Sequence, residues 1–276
     1  MMISLSLITL FLAWFGLRQY GLSQSYSQTA HPLMELKKPL VFSHGGWFGD
    51  DINPYSIQSF IKLSNKSPHL VPSGHVYLSK DDKWYLFEAT KVQKDNNFRN
   101  LESGELNVML TKGILKGFSL DELAKSEFKG PVAFFVETYD RGDAESFNKW
   151  LKANQYQDRV FVFSRHDGFL RDLRKINPSL VFSVGQAKLT QFLLLDSYGL
   201  ESLGRLKNDF VVFDPRFAEK ISVKPSTVIE IHRQKKLIFV EGVSSVKTAK
   251  ELIDKGIDGF TTKNPSEIVT IFESSM

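Results

Sequence analysis

The chain has 276 residues, a formal net charge of +4 and no cysteine. Its length suits one large α/β domain or two small domains, each with its own core. The lack of cysteine excludes disulfides, thiolate metal sites and a cysteine nucleophile, and the lysines and arginines form no dense block of the kind that indicates nucleic-acid binding.

The chain begins with an apolar segment. Residues 3–17 are apolar apart from a few small or polar side chains, and Arg18 follows. The run is closer to the roughly 7–15 residues of a signal-peptide core than to the about 20 of a transmembrane helix. We therefore predict a signal peptide or N-terminal membrane anchor over residues 1–20, with a linker over 21–38. The predicted location is exported: periplasmic, secreted or membrane-anchored. A buried N-terminal helix is the alternative.

From residue 40 onward, short apolar runs alternate with segments of helical periodicity. Continuous apolar strands separated by amphipathic helices are typical of a parallel sheet covered by helices, and eight such units match a (β/α)8 barrel. We therefore predict an α/β fold, a (β/α)8 TIM barrel over residues 39–276. A doubly wound open sheet is the alternative, although no Gly-x-Gly-x-x-Gly follows any of the runs. The eight apolar runs lie at residues 40–42, 70–78, 132–136, 160–163, 180–184, 210–213, 237–240 and 259–261.

The second unit of this pattern is irregular. A polar turn over residues 79–83 separates the run 70–78 from a further apolar run at 84–87. This arrangement predicts a β-hairpin insertion after the second strand. Residues 96–116 have only a weak pattern, and we predict that they form a loop or a small insertion at the mouth of the barrel.

Histidine and acidic residues stand at the ends of predicted strands. His44, followed by Gly45 and Gly46, ends the first run, Glu137 follows the third, and Glu88 follows the hairpin run. Active sites of (β/α)8 barrels lie at the carboxyl ends of the strands. We therefore expect these side chains to meet at one mouth.

A set of short motifs follows one another in a fixed order over residues 40–270. The motifs are Phe42-Ser43-His44-Gly45-Gly46, Leu78-Ser79-Lys80-Asp81-Asp82 with the run 84–87, Phe118-Ser119-Leu120-Asp121-Glu122-Leu123, Phe135-Val136-Glu137, Val162-Phe163-Ser164 with Leu170-Arg171-Asp172-Leu173-Arg174 and Asn177-Pro178, and Gly256-Ile257-Asp258-Gly259-Phe260-Thr261-Thr262-Lys263-Asn264-Pro265. In this order and spacing they resemble the glycerophosphodiester phosphodiesterase family, a (β/α)8 member of the phospholipase-C-like superfamily. The last motif is the most specific of the set.

The sequence departs from this family's pattern at several positions of the site. Gly45 stands where the family has the arginine of its His-Arg-Gly motif. The family's Glu-x-Asp metal pair falls on Ser73 and His75, and its second histidine falls on Glu88. Of the family's central groups, the resemblance leaves His44 and the third-strand acid Glu137.

The resemblance implies a mechanism that uses a divalent cation and two histidines as acid and base. By position it makes His44 and Glu88 the catalytic candidates, and Glu137, His75 and Glu88 the candidate metal ligands. Imidazole with carboxylate suits Zn²⁺ or Mn²⁺ better than Ca²⁺. The predicted cofactor is therefore one divalent metal (Zn, Mn, Mg or Ca), or none if the pocket is vestigial and its polar groups hydrogen-bond one another.

Three further residues follow predicted strands and are expected to bind substrate. Trp47 comes shortly after the first strand, Arg165 after the fourth and Glu241 after the seventh. Arg165 could hold a phosphate through two parallel hydrogen bonds. The alternatives are loop packing for Trp47 and ion pairs for the other two. The remaining histidines are predicted at the surface or in turns: His31, His69, His166 and His232.

The predicted function is a non-catalytic or weakly active binder of a phosphate-bearing or lipid-headgroup ligand, on a barrel with a degenerate active site. One alternative is a metal-dependent phosphoric diester hydrolase with a rearranged site of His44, His75, Glu88 and Glu137. The other is a structural or partner-binding protein whose mouth is blocked by residues 96–116. The predicted partners are a small phosphodiester or lipid headgroup and, through the N-terminal segment, a membrane, but no nucleic acid.

Overall fold

A computed structural model describes residues 2–47, 52–88, 98–137, 140, 142–214 and 224–273 of the chain. The strands in this part of the chain are β1 (Leu40–His44), β2 (Leu70–Leu78), β3 (Trp84–Phe87), β4 (Gly117–Ser119), β5 (Val132–Val136), β6 (Val160–Phe163), β7 (Val181–Phe182), β8 (Phe210–Phe213), β9 (Leu237–Val240) and β10 (Gly259–Thr262). The α-helices are α1 (Met2–Leu22), α2 (Ile57–Lys66), α3 (Ser103–Thr111), α4 (Leu120–Lys125), α5 (Asp143–Ala153), α6 (Asp167–Ile176), α7 (Gln186–Ser197), α8 (Pro225–Arg233), α9 (Val246–Asp254), α10 (Pro265–Ile268) and α11 (Thr270–Glu273). Short 3₁₀ helices lie at Pro32–Glu35, Phe98–Asn100, Gln157–Arg159 and Glu201–Leu203.

Eight strands pair in parallel in the order β7-β6-β5-β2-β1-β10-β9-β8. A parallel bridge between Ser183, just after β7, and Phe210 of β8 brings the two ends of this sheet together. Helices alternate with the strands along the chain. The predicted α/β fold, a (β/α)8 TIM barrel, is confirmed.

The inside of the barrel is filled largely by phenylalanine. Because side chains alternate along a strand, one residue in two faces inward. Phe42 lies with its ring centroid 5.3 Å from that of Phe161, 5.3 Å from Phe163 and 4.8 Å from Phe239, in edge-to-face contacts. These side chains belong to a buried interior cluster that also contains Leu33 and Met34 of the 3₁₀ helix Pro32–Glu35. The barrel is therefore a packed core, and part of the predicted linker packs against it.

Strand β2 extends beyond the barrel and pairs with β3 in antiparallel register, from His75 opposite Phe87 to Leu78 opposite Trp84. Strand β3 pairs in turn with β4. This small sheet stands beside the barrel mouth, because the pairing begins at the end of β2 where the candidate site lies.

The segment 96–116 was predicted as a loop or a small insertion. It contains helix α3, so of these two it is a small insertion and not a loop. Its residues 96 and 97 lie outside the described part of the chain. Leu106 is buried in a cluster with Tyr85 and Phe87 of β3. A hydrogen bond of 2.9 Å from the backbone N–H of Glu102 to the side chain of Glu105 supports the helix start.

Helix α1 lies against the outside of the barrel through its second half. The indole Nε1 of Trp14 donates to the carbonyl of Tyr198 at 3.0 Å, and the Ser202 hydroxyl donates to the carbonyl of Arg18 at 3.2 Å. Among the described residues, no helix is both long and apolar enough to cross a membrane. The signal peptide and the exported location stay predictions.

Candidate functional site

The candidate site forms where β1, β2 and β5 end. In the parallel register His44 lies opposite Ser73, and His75 lies opposite Phe135. Glu137 follows directly, because its backbone N–H continues the ladder with a 2.9 Å hydrogen bond to the carbonyl of Val76. The pairing of these three strands therefore gathers the predicted residues His44, His75 and Glu137 at one end of the barrel.

A tight turn fixes the chain after His44. Gly45 and Gly46 both have φ of +84°, which glycine adopts without strain. A side chain at either position would also collide with a neighbour, because a Cβ on Gly45 would lie 2.7 Å from the ring of Tyr55 and one on Gly46 would lie 2.5 Å from Oγ of Ser59. The glycines that follow His44 are therefore required by the packing of the turn.

His44 is enclosed by other rings. Its imidazole stacks on that of His75 with centroids 5.3 Å apart, and it lies 4.7 Å from the ring of Phe135. Its Nδ1 is 3.3 Å from Oγ of Ser73. Burial, with the nearby charges of His75 and Lys263, lowers the pKa of His44 to about 3. His44 is therefore neutral at pH 7 and has no proton to donate as an imidazolium acid.

His75 and Glu137 form a pair. His75 donates from Nδ1 to Oε1 of Glu137 at 3.2 Å, and about a quarter of each side chain is exposed. Burial by itself would raise the pKa of Glu137, but the hydrogen bond from His75, with the charges of His75, Arg165 and His166, outweighs it and lowers that pKa. Glu137 is therefore an ionised acceptor at neutral pH.

A second pair lies at the same mouth. Nη2 of Arg165 is 3.3 Å from Oε2 of Glu241, and the arginine side chain is 62% exposed. Glu241 is placed by a 2.9 Å hydrogen bond from its backbone N–H to the carbonyl of Phe213. Burial raises the pKa of Glu241 in spite of the opposing charge of Arg165. Arg165 and Glu241, which were both predicted to bind substrate, thus form an ion pair with each other.

Glu88 and Trp47 are not members of these two pairs. Glu88 follows β3, whose last residue, Phe87, lies opposite His75 of β2. The backbone N–H of Glu88 donates to the carbonyl of Lys116 at 2.9 Å, and its charge adds to the effect of burial in raising the pKa of Tyr55. Trp47 is buried among apolar side chains that include Leu63 of α2. Its Nε1 has no hydrogen-bond partner in the described part of the chain. The catalytic role of Glu88 and the ligand-binding role of Trp47 stay predictions.

The arrangement does not fit the cation that the resemblance implies. Within the described ranges, no three histidine or acidic side chains lie close enough together to hold a metal ion. The carboxylate of Glu137 accepts a hydrogen bond from His75, whereas Ca²⁺ and Mg²⁺ need several oxygen ligands. A divalent metal remains a prediction from the sequence.

Sequence reasoning missed two neighbours of the site, Phe135 and Tyr55. The position of Phe135 could have been predicted, because side chains alternate along the strand 132–136 and Phe135 therefore faces inward together with Ala133. The position of Tyr55 could not, since it depends on a positive φ of 58° and on the space left by Gly45.

Four histidines were predicted at the surface or in turns, and two of them are buried. His69 lies in a turn, as one form of the prediction has it, but it is only 6% exposed, and His31 is only 5% exposed. The Nδ1 of His31 accepts a hydrogen bond from the backbone N–H of Leu33, and that of His69 lies 3.0 Å from the carbonyl of Pro39. Both imidazoles therefore satisfy backbone groups where the N-terminal segment meets the barrel.

No protein-family model and no curated protein matches the sequence. Solved structures do match. A glycerophosphodiester phosphodiesterase from Parabacteroides distasonis has a TM-score of 0.68 at 17% identity, over 87% of this chain and 99% of the other. One from Agrobacterium tumefaciens has a TM-score of 0.61 at 12% identity, over 85% and 99%. A phosphodiesterase from Oleispira antarctica, in complex with the product sn-glycerol-3-phosphate, has a TM-score of 0.59 at 12% identity, over 86% and 97%.

These structures share a fold with the chain over nearly their full length. The resemblance of the motifs to the glycerophosphodiester phosphodiesterases is therefore confirmed for the architecture: the chain has the barrel fold of these enzymes.

Proposed function

We propose that this protein binds a small phosphate-bearing ligand at the mouth of the barrel and does not hydrolyse it by the metal-dependent route of the enzymes whose fold it shares. The observation that carries the proposal is the 3.2 Å hydrogen bond between His75 and Glu137. His75 stands where the family has a carboxylate. Its imidazole is hydrogen-bonded to Glu137, the acid that the resemblance makes a metal ligand. The pair satisfies itself without a cation.

The state of His44 supports the same proposal. The mechanism implied by the resemblance needs one histidine to take a proton and another to give one. Glu88 stands where the second histidine would be, and His44 is neutral at pH 7 because its burial keeps its pKa at about 3. His44 is therefore a weak base, since the basicity of a group falls with its pKa.

Cationic side chains at the mouth support a phosphate-bearing ligand. Arg165 is largely exposed, and Lys263 is close enough to His44 for its charge to lower the pKa of that residue. Guanidinium groups hold phosphate through charge-assisted hydrogen bonds. The Oleispira antarctica phosphodiesterase, which shares the fold, was solved with sn-glycerol-3-phosphate. In this arrangement Arg165 would exchange Glu241 for the ligand.

The proposal is tested by calorimetric titration of the full chain with sn-glycerol-3-phosphate and with glycerophosphocholine. We expect Arg165→Gln to weaken binding about tenfold or more, because a hydrogen bond to a charged group contributes about 1.5–3 kcal/mol. The matched control is Arg171→Gln on α6, whose side chain is exposed to a similar extent. It should leave the affinity unchanged.

The other outcomes point to the two alternatives. Turnover that needs one metal and disappears in His44→Ala would favour a hydrolase with a rearranged site. No binding of either ligand by the folded protein would favour a structural or partner-binding role.

A further inference from the structure

Helix α1 exposes an unusual amount of apolar surface. Six apolar side chains in the first two thirds of the helix are 46–67% exposed: Leu7, Ile8, Leu10, Phe11, Leu12 and Phe15. With about 3.6 residues per turn, these positions are spread over more than half of the helix circumference. A protein groove covers one stripe of a helix, so a single partner of that kind would leave many of them in water.

The helix is nevertheless fixed to the barrel. Arg233 of α8 donates from Nη2 to the carbonyl of Gly21 at 3.1 Å and from Nη1 to that of Leu22 at 3.2 Å. Gly21 packs so closely on Ser202 that a Cβ would lie 2.4 Å from its Oγ. With the bond between Trp14 and Tyr198, these contacts hold the second half of α1 in one orientation.

The barrel contributes apolar side chains beside this junction. Leu194 of α7 and Tyr198, one turn later, are 59% and 68% exposed. Ile229 of α8 is 67% exposed and stands one turn before Arg233, which contacts α1. Helices α7 and α8 are joined by a 2.8 Å hydrogen bond from Oγ1 of Thr227 to Asp196. The three side chains therefore flank the attachment of α1.

Basic residues surround the same junction. Arg18 lies on α1, and Arg205, Lys207 and Lys235 are exposed in the loops that follow α7 and α8. Those loops lead into β8 and β9, so they lie at the end of the barrel opposite the candidate site. An apolar surface rimmed by arginine and lysine is complementary to the interface of an anionic bilayer, where apolar groups are buried and cations meet phosphate.

We propose that α1 together with Leu194, Tyr198 and Ile229 forms one docking face that rests in the interface of an anionic lipid bilayer. Because α1 is held by Arg233 and Tyr198, the face fixes the orientation of the barrel as well as its attachment. The mouth with His44 and Arg165 then opens towards water, on the side away from the membrane.

Partition of the full chain into vesicles tests this face. The vesicles are phosphatidylcholine with about one quarter phosphatidylglycerol, and bound protein is measured by co-sedimentation. The triple variant Leu194→Ser, Tyr198→Ser and Ile229→Ser should lower the partition coefficient about tenfold or more, because exposed apolar side chains lose their transfer into the interface. The matched control, Val108→Ser with Ile114→Ser, removes apolar side chains that are 50% and 53% exposed on and just after α3, away from the proposed face, and it should partition like the wild type.

Three results would overturn the proposal. Equal partition of the triple variant and the control would mean that α1 alone meets the lipid. Partition that is independent of phosphatidylglycerol and of salt would remove the role of the basic rim. A mass of two chains by light scattering, without any partition into vesicles, would mean that a second copy covers the face. Melting temperatures of both variants close to wild type establish that the comparison is between folded proteins.

Discussion

His44 lies at the strand end where the sequence predicts it, but its surroundings change its chemistry. It is stacked on His75 and Phe135, and its pKa of about 3 lies far below the ordinary value of 6.5. A residue type that usually exchanges protons near neutrality is therefore a neutral hydrogen-bonding group here.

This burial makes stability depend on pH. Between pH 6.5 and about 3 the unfolded chain takes up a proton at His44 that the folded chain does not. The contribution of His44 to the free energy of unfolding is therefore fully present above its pKa in the unfolded chain. It decreases by about 1.4 kcal/mol for each pH unit as the pH falls through this window. We expect urea unfolding of His44→Gln to be less dependent on pH in this window than that of the wild type. Parallel pH profiles would contradict the burial of His44.

The turn after His44 makes a second residue-scale prediction. Gly46→Ala should destabilise the protein by about 2 kcal/mol or more, because it combines a positive φ with a collision against Ser59. The matched control is Gly104→Ala in α3, where nothing lies within 4 Å of the added Cβ. Urea unfolding of the control should show no loss of stability. A similar loss in both variants would mean that neither the positive φ nor the contact with Ser59 makes glycine necessary at position 46.

Strand ends made part of the candidate site predictable. His44 and Glu137 stand at the ends of predicted parallel strands, so their meeting requires no knowledge of side-chain packing. His75 was predicted only through the resemblance. The contact between Arg165 and Glu241 could be anticipated only as an alternative, because an ion pair depends on side-chain reach. Packing of Trp47 could likewise be anticipated only as an alternative, and its apolar neighbours, which include Leu63 of α2, depend on how α2 lies over β1.

At the scale of elements, the β2–β3 hairpin and α3 are joined by one carboxylate. Asp81, in the hairpin turn, accepts from the backbone N–H of Ser103 at 2.7 Å and from its hydroxyl at 2.5 Å. These hydrogen bonds from Ser103 are the main reason that the pKa of Asp81 is lowered to about 2. The first turn of α3 is therefore capped by a residue from another element.

Asp81→Ala should release that helix end at a cost of about 1 kcal/mol, the usual contribution of an N-terminal cap. Hydrogen exchange should then be faster at the amides of α3 and unchanged in β5 and β6. The control is Asp121→Ala at the start of α4, which should leave exchange in α3 unaltered. Uniformly faster exchange across the barrel in Asp81→Ala would show that the link is not local.

The sequence pattern failed for α3 for a related reason. Its apolar face is formed by Leu106, Met109 and Leu110, a set too short to be distinguished from an irregular insertion. Helix α3 is stabilised by the cap from Asp81 and by the burial of Leu106 in a cluster with Tyr85, which are both tertiary interactions. Neither can be inferred from spacing.

For the whole molecule, the barrel was predictable because its strands are short, apolar and regularly repeated. Runs such as 132–136 and 160–163 match β5 and β6 residue for residue. Strand β7 is shorter than predicted, although the N–H groups of Ser183 and Val184 still bond to Val162 and Phe210 on either side. Closure thus depends on few hydrogen bonds at this point.

A buried acid supports that closure. Asp209, 2% exposed, accepts a hydrogen bond from the N–H of Phe182 at 3.0 Å and one from the hydroxyl of Thr29. Asp209→Ala would leave buried donors unpaired, so we expect a loss of about 2 kcal/mol or more in urea unfolding. Asp254→Ala, at an exposed position of α9, is the control and should change stability by no more than about 0.5 kcal/mol. Equal effects would contradict a special role for Asp209.

The proposed function is binding of a phosphate-bearing ligand at the mouth without the metal-dependent chemistry of the enzymes that share the fold. The decisive experiment is hydrolysis of glycerophosphodiesters by the full chain with Ca²⁺, Mg²⁺, Mn²⁺ and Zn²⁺ in turn, with His44→Ala as control. We predict the same background rate for the wild type and the variant with every metal. Turnover that requires one of these metals and is lost in His44→Ala would contradict the proposed function.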